Sequence, residues 1–146
     1  WAAVTNSLSL APLVLVAIIF MWTPPHFWAL SLYRSEDYAR AGVPMLPVVK
    51  GKPHTRLHIL AYALLLAPLG LVPAFIGLGG VLYLAVSAAC GAWLIWESVA
   101  TFREKNEDRE PAARRLFLAS LAYVFLLFAS LIAERLIGLA PFAHWI

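Results

Sequence analysis

Glu36 and Asp37 are the only acidic residues in the polar stretch between residues 22 and 51. Basic residues surround this pair at Arg34, Arg40, Lys50, Lys52 and Arg56. Mg²⁺ is commonly bound through one or two carboxylates, with water and substrate phosphate oxygens completing its octahedron. The pattern therefore predicts Mg²⁺-assisted binding of a diphosphate, to which the basic side chains also bond. The alternative is a solvated loop whose cations mark one side of a membrane.

The composition places this polar stretch in a membrane protein. Of the 146 residues, 62% are hydrophobic and 13% are charged, and the mean hydropathy is +0.80. A water-soluble core of this size cannot bury so much apolar surface, so we expect a lipid bilayer around the chain. In a soluble protein the net charge of +3 would suggest an anionic partner. Here the positions of the charges matter more than their sum, and no nucleic-acid partner is expected.

Four apolar runs predict four membrane-spanning helices, each close to the 20 residues that a bilayer requires. We place these helices at about residues 9–33, 55–76, 81–102 and 115–137. The polar loops between them, residues 34–54 and 103–114, carry most of the Lys and Arg residues. The positive-inside rule therefore places both loops in the cytoplasm. Pro24 and Pro25 lie inside the first run, and we expect them to kink the helix.

The beginning of the chain predicts that it is part of a longer protein. It opens with WAAVTNSLSL, without an initiator Met, a basic leader or a cleavage-site pattern. We expect residues 1–146 to form a single, partial membrane domain.

The polar stretch resembles a known family of membrane enzymes. Its segments WTPPHFWALSLY and EDYARAGVPMLPVVKG are similar to the second signature region of the protohaem IX farnesyltransferases, or haem O synthases, which are UbiA-type intramembrane prenyltransferases. The downstream segments TRLHILAYALLL and RRLFLASLAYVFLLF, and GGVLY at residues 79–83, also resemble that family. The resemblance covers essentially the whole chain. It implies an all-α integral membrane protein that forms the C-terminal part of a nine-helix bundle.

The resemblance also implies a reaction. Enzymes of this family carry two acidic motifs on cytoplasmic loops, which bind Mg²⁺ and the diphosphate of farnesyl diphosphate. The farnesyl group is transferred to a vinyl group of haem B to give haem O, for the haem of terminal oxidases. The resemblance thus implies a bacterial inner-membrane protein whose partners include haem A synthase or a terminal oxidase assembly.

Asp37 matches the acidic residue of the family's second motif. Related enzymes carry another Asp four residues later, where this chain has Ala41. The first motif, Asn-x-x-x-Asp-x-x-x-Asp, is absent, because Asn6 is followed by Leu10 in place of Asp. Asp37 and Glu36 are therefore the Mg²⁺ ligands that this chain offers, and we expect the chain alone to be inactive.

The remaining site residues are assigned by the charge that the reaction develops. Ionisation of an allylic diphosphate leaves negative charge on the leaving group, which nearby cations stabilise. We predict Arg40 and Lys50 as diphosphate contacts, with Arg40 also counted as catalytic beside Asp37. Arg34 is a further candidate for the diphosphate or for a haem propionate. Tyr38 could bond to the diphosphate or anchor the chain at the interface.

The aromatic residues that precede the acidic pair suit an allylic cation. Phe27, Trp28 and Tyr33 are predicted to line an apolar prenyl tunnel that keeps water away from the cation. His26 has two alternative roles. It binds haem, through the iron or a propionate, or it satisfies carbonyl groups freed by the two prolines.

Other titratable residues have simpler expected roles. His54 and His58 have the four-residue spacing of a metal pair, but an interfacial helix start is favoured because no Glu completes a zinc-protease pattern. Glu97 could pair with Arg103 or extend its carboxylate to the membrane surface. Glu134 is expected to extend to the surface in the same way.

Two other classes of function remain open. One is a UbiA-type prenyltransferase with a different acceptor, such as a quinone or porphyrin precursor. The other is a non-catalytic membrane protein that handles haem or forms half of a transporter. A transporter should carry polar residues at the membrane midplane on broken helices. In this sequence the polar residues collect toward one face, which favours the enzyme.

Overall fold

A computed structural model describes residues 2–6, 9–106 and 109–139, and these ranges contain helices and no strand. The helices are α1 Ala2–Thr5, α2 Leu10–Tyr33, α3 Ser35–Arg40, α4 Leu46–Lys50, α5 Lys52–Phe75, α6 Val81–Phe102 and α7 Pro111–Ile137. Helices α2, α5, α6 and α7 have 22 to 27 residues and are long and apolar enough to cross a membrane. The predicted all-α integral membrane fold is thereby confirmed.

The four long helices form a closed ring. Helix α5 packs against α2 and α6, and α7 packs against α6 and α2, so that α2 lies diagonally opposite α6. The short helices α3 and α4 pack near the junction of α2 and α5. Since the chain alternates in direction along the four long helices, the loop that contains α3 and α4 and the loop between α6 and α7 share one end of the ring.

The helix boundaries agree with the prediction for two spans and differ for the other two. Helix α2 begins one residue after the predicted start, and α6 matches residues 81–102. Helix α5 begins at Lys52 in place of residue 55, and α7 at Pro111 in place of residue 115. Both early starts place a proline in the first turn, where its missing N–H has no helical partner to lose.

The loop predicted over residues 34–54 is also corrected. It contains α3 and α4, and only short connections remain around them. Gly51 separates α4 from α5 with φ of 86°, a conformation that favours glycine. The second loop shortens to residues 103–110, of which residues 107 and 108 lie outside the described part of the chain.

A buried carboxylate joins α6 to α7 at the end of the ring opposite these loops. Glu134 is only 3% exposed. Its two oxygens accept hydrogen bonds from the backbone N–H groups of Gly80, at 2.5 Å, and Tyr83, at 2.8 Å. These groups belong to the first turn of α6, which has no helical acceptor for them. The prediction that Glu134 extends to the surface is therefore wrong, because its carboxylate caps a neighbouring helix.

A second pair joins the same helices near the loops. The carboxylate of Glu97 lies 3.2 Å from Nε of Arg115. Sequence reasoning proposed Arg103 as the partner, but the early start of α7 brings Arg115 beside α6. Two carboxylates thus connect α6 and α7, one toward each end.

Gly70 of α5 leaves room for a side chain that reaches across the ring from α7. A Cβ atom at this position would overlap the hydroxyl oxygen of Tyr123 and lie 3.5 Å from Cδ2 of Leu127. Tyr123 is fully buried, and its hydroxyl donates a hydrogen bond to the carbonyl oxygen of Leu66 at 3.2 Å. The position of Tyr123 in the centre of the ring therefore depends on the absence of a side chain at Gly70.

We expect Gly70→Ala to lower the free energy of unfolding by about 1–3 kcal/mol, because the added methyl group overpacks the interface. Tyr123→Phe removes the oxygen that the methyl group would meet, at the loss of one hydrogen bond. The double variant should therefore be less destabilised than the sum of the two single variants. Unfolding in detergent, followed by circular dichroism, measures all three. Strict additivity would contradict this account of Gly70.

Candidate functional site

The acidic pair lies in a short helix at the loop end of the ring. Arg34 lies between the two helices, as the C-cap of α2 and the N-cap of α3, with φ of −111° and ψ of 18°. Helix α3 then carries Glu36 and Asp37 in its first turn and Arg40 in its last. This order of charges suits the helix dipole, whose positive end favours carboxylates and whose negative end favours cations. The local sequence thus stabilises the element that presents the acidic pair.

A cavity of about 460 Å³ opens beside this helix. It is bounded by the end of α2, by α3, by the start of α5 and by the connection into α7. Its lining consists of Leu32, Tyr33, Arg34, Ser35, Glu36, Asp37, Lys52, Arg109 and Arg114. Four cations and two carboxylates give the lining a net charge of +2 when all are ionised. The cavity therefore suits an anion that carries several negative charges.

The carboxylates of the cavity are held by exposed ion pairs. Asp37 lies 3.1 Å from Arg34, and Glu36 lies 3.0 Å from Arg40. All four side chains are more than half exposed. Exposed pairs of this kind contribute little stability and exchange partners readily. The carboxylates and the guanidinium groups are consequently available to an incoming ligand at small cost.

The donor set of the cavity fits Mg²⁺ bound together with a phosphate ligand. The described residues contain no group of three or more His, Cys, Asp or Glu side chains that could hold a metal ion by themselves. Two adjacent carboxylates are what Mg²⁺ takes from proteins when substrate phosphates and water complete its shell. Glu36 and Asp37 could hold the ion in this way, so the cavity is compatible with the predicted cofactor.

Several predicted diphosphate ligands lie outside the cavity lining. Arg40 is exposed on α3 and bonds to Glu36, although its spacing from Asp37 had suggested a shared face. Lys50 is exposed at the end of α4. Tyr38 is half-buried and lines a neighbouring cavity of about 410 Å³, which shares Arg34 and Asp37 with the first. The structure thus brings together Arg34, Glu36 and Asp37.

Sequence reasoning missed two cations of the lining and did not assign a third to the site. Arg109 and Arg114 were read only as charges that orient the chain in the membrane, and Lys52 was counted among the basic residues around the acidic pair without being selected as a ligand. Lys52 enters the cavity because α5 begins early, and Arg114 because α7 does. The useful signal was Pro111, which favours the first turn of a helix and so places Arg114 inside α7.

The three predicted tunnel aromatics lie in different surroundings. Phe27 is 48% exposed and makes an edge contact with the ring of His26. Trp28 makes edge contacts with His58 and Tyr62 of α5. Tyr33 packs against α7 and lines the cavity. Of the three, Tyr33 lies beside the acidic pair, and the shared prenyl tunnel stays a prediction.

His26 is buried in an aromatic stack between α2 and α7. Its ring lies between Trp22, at a centroid distance of 4.4 Å, and Phe117, at 4.6 Å. Its Nδ1 atom lies 2.8 Å from the hydroxyl of Ser120, which itself donates to the carbonyl oxygen of Phe117. The tautomer of His26 decides whether Nδ1 or the Ser120 hydroxyl donates in this bond. Haem binding by His26 stays a prediction.

The histidine pair on α5 forms a local contact. The rings of His54 and His58 have centroids 4.2 Å apart, and Nδ1 of His58 donates to the backbone oxygen of His54 at 2.9 Å. No third metal ligand joins them among the described residues. The pair therefore has the geometry expected of an interfacial helix start.

Comparisons with known proteins identify the family of the chain. A profile of the UbiA prenyltransferase family matches residues 1–121. The chain belongs to this family. No solved structure matches the chain.

Curated relatives of the chain carry the name protoheme IX farnesyltransferase. The chain is 52% identical over 140 residues to the protein from Parvibaculum lavamentivorans and 51% identical over 138 residues to that from Azorhizobium caulinodans. It is 48% identical over 165 residues to the protein from Caulobacter sp.. These matches cover 94% to 95% of this chain but only 44% to 48% of each relative. The chain thus spans less than half the length of these relatives.

The second loop of this UbiA-family chain is ordered by Glu104. Its carboxylate accepts hydrogen bonds from the backbone N–H groups of Asn106 at 2.9 Å, Lys105 at 3.0 Å and Ala112 at 3.3 Å. The bond from Asn106 contributes most to a lowered pKa of Glu104, followed by those from Ala112 and Lys105 and by the charge of Arg56. The carboxylate thus connects the end of α6 to the start of α7.

Because the pKa of Glu104 is lowered in the folded protein, its contribution to stability exists above the ordinary glutamate pKa of about 4.3 and is lost as the pH falls below it. Glu104→Gln should therefore be slightly less stable than wild type at pH 7. The difference should shrink toward zero as the carboxyl becomes protonated. Unfolding measurements in detergent from neutral to acidic pH test this, and a difference that is independent of pH would contradict it.

Proposed function

We propose that this chain is part of a protohaem IX farnesyltransferase, which transfers the farnesyl group of farnesyl diphosphate to a vinyl group of haem B and forms haem O. The names of the curated relatives support this substrate pair. The observation that carries the proposal is the cavity at the loop end of the ring. It combines two carboxylates with four cations immediately beside an apolar helix bundle. An amphiphile with a diphosphate head and an apolar tail suits both surroundings.

In the proposed reaction, the bond between the allylic carbon and the diphosphate oxygen breaks, and a carbon–carbon bond forms to the terminal vinyl carbon. Water then adds to the neighbouring carbon and loses a proton, which leaves a hydroxyl group on haem O. Diphosphate is the other product. Asp37 and Glu36 would hold Mg²⁺, which would supply Lewis-acid stabilisation of the leaving diphosphate.

The protein side chains have separate tasks in this reaction. Arg34, Lys52, Arg109 and Arg114 bind the diphosphate and stabilise the charge that develops when the bond breaks. Leu32 and Tyr33 form the apolar part of the lining and help to exclude water. His26 and the aromatic residues near it, on the side of α2 that meets α7, are the proposed contacts for haem B.

We also propose that both polar loops lie in the cytoplasm and that the protein resides in a bacterial inner membrane. The excess of Lys and Arg in the two loops supports this orientation. The first acidic motif of the family is proposed to come from the part of the relatives that this chain does not cover.

The central test is haem O formation by the full-length gene product in a bacterial membrane that lacks haem O, with extracted haems identified by mass spectrometry. We expect haem O with the wild type and at least a roughly 100-fold loss with Asp37→Ala, because the leaving group loses its metal. Glu97→Gln is the matched control, since this carboxylate lies outside the cavity. Inserted wild-type protein that yields only haem B would contradict the proposed acceptor. Full activity of Asp37→Ala would contradict its role.

Arg40 and Lys50 remain predicted diphosphate contacts. The exposed pair between Arg40 and Glu36 can open when the anion enters, which would bring the guanidinium to the diphosphate. Arg40→Ala and Lys50→Ala should therefore raise the KM for farnesyl diphosphate by about tenfold, the effect of one charged contact, while the KM for haem B is unchanged. Steady-state kinetics with each substrate varied in turn measures both. An equal rise in the two KM values would indicate a structural role.

A further inference from the structure

We propose that Glu110, together with Arg56, is the positioning element that fixes Lys52, Arg109 and Arg114 in the diphosphate cavity. This inference rests on the proposed function, since it concerns how the same cavity binds its anion. Neither residue lines the cavity. Both lie behind it, where they connect the start of α5 to the start of α7.

The pair is buried, and its geometry is close. Glu110 is fully buried and Arg56 is 5% exposed. Nη2 of Arg56 lies 2.6 Å from Oε1 of Glu110, and Nη1 donates to the backbone oxygen of Glu104 at 2.8 Å. A buried carboxylate requires a partner of opposite charge, so each residue depends on the other to stay in place. The guanidinium of α5 thus holds two points of the second loop.

Three cations of the cavity, one each from α5, the second loop and α7, are connected to Glu110. The ammonium group of Lys52 lies 3.5 Å from the Glu110 carboxylate. The backbone N–H of Arg114 donates to the backbone oxygen of Glu110 at 3.2 Å. Arg109 is the preceding residue in the chain. A shift of Glu110 would therefore move Lys52, Arg109 and Arg114 together.

The backbone of Glu110 shows that its position is imposed by its surroundings. It has φ of 44° and ψ of 53°, in the left-handed region that residues other than glycine rarely adopt. Such a conformation persists where tertiary contacts over-determine it. The side chain of Glu110 makes no capping bond to α7, and its backbone N–H donates to the carbonyl oxygen of Asn106 at 3.1 Å. The ion pair with Arg56 is the long-range contact that fixes the side chain.

One oxygen of Glu110 has no hydrogen-bond partner among the described residues. Oε2 is buried, while Oε1 bonds to Arg56. An unsatisfied buried oxygen is unfavourable, so the Glu110 carboxylate depends strongly on the two cations that lie beside Oε1, Arg56 and Lys52.

The test measures binding of inorganic diphosphate in the presence of Mg²⁺ to the purified full-length gene product by titration calorimetry. We expect Glu110→Gln to raise the Kd by at least about tenfold, since three cations lose their anchor. The KM for farnesyl diphosphate should rise in parallel, while the KM for haem B stays the same. A merely structural role would change the amount of folded protein without separating the two KM values.

Glu134→Gln is the matched control. It also removes the charge of a buried carboxylate that connects two helices, but at the opposite end of the ring. Its thermal stability should fall, while its Kd for diphosphate should stay within about twofold of wild type, as expected for a distant site. A similar loss of diphosphate affinity in both variants would overturn the positioning role.

Glu110→Gln leaves Arg56 buried without its carboxylate, and the variant could fail to fold for that reason. The double variant Arg56→Met with Glu110→Gln removes both charges and keeps similar side-chain volume. It should fold and show the same loss of diphosphate affinity. A folded double variant that binds diphosphate as wild type does would overturn the inference while leaving the proposed function intact. Wild-type protein that does not bind diphosphate at all would overturn both.

Discussion

The need to satisfy every backbone polar group without water governs this structure. Inside a bilayer an unpaired N–H or C=O group is strongly unfavourable, so each crossing segment must be a complete helix. The charged side chains are consequently gathered toward the ends of the ring. The loops at one of these ends contain the cavity. Carboxylates near the helix ends bond accordingly. Glu134 and Glu104 accept hydrogen bonds from backbone N–H groups at the starts of α6 and α7. Glu97, which is buried, pairs with the cation of Arg115.

The sequence allowed the long helices and the acidic face of the site to be predicted, because both depend on local features. The length of an apolar run is enough to identify a crossing segment. For α2 and α6 the flanking polar or glycine residues also indicate where the helix begins and ends. The pair Glu36 and Asp37 is identified by its uniqueness within the polar stretch. The resemblance of the chain to the UbiA family is carried by a contiguous motif. Each of these features can be read within about thirty residues of sequence, roughly the length of one crossing helix with its caps.

The other face of the cavity could not be predicted in the same way. Lys52 and Arg114 are separated in the sequence by the whole hairpin of α5 and α6. No feature of the sequence around either residue predicts that both line the same cavity. The positive-inside rule already accounts for cations in these loops, so their presence gives no separate indication of ligand binding. A prediction based on apolar residues makes α5 and α7 too short, because it assigns their charged first turns to the loops. Glu134 was misjudged for a related reason, because its position near the interface suggests solvent while its partner is a helix start 54 residues earlier.

The capping of α6 by Glu134 also bears on how the chain enters the membrane. Helix α6 precedes α7 during synthesis, so its first turn is made before the carboxylate that satisfies it exists. Until α7 follows, the N–H groups of Gly80 and Tyr83 must remain near water or headgroups. We therefore expect the two helices to complete their insertion as a hairpin, in which α7 supplies the carboxylate that holds the start of α6.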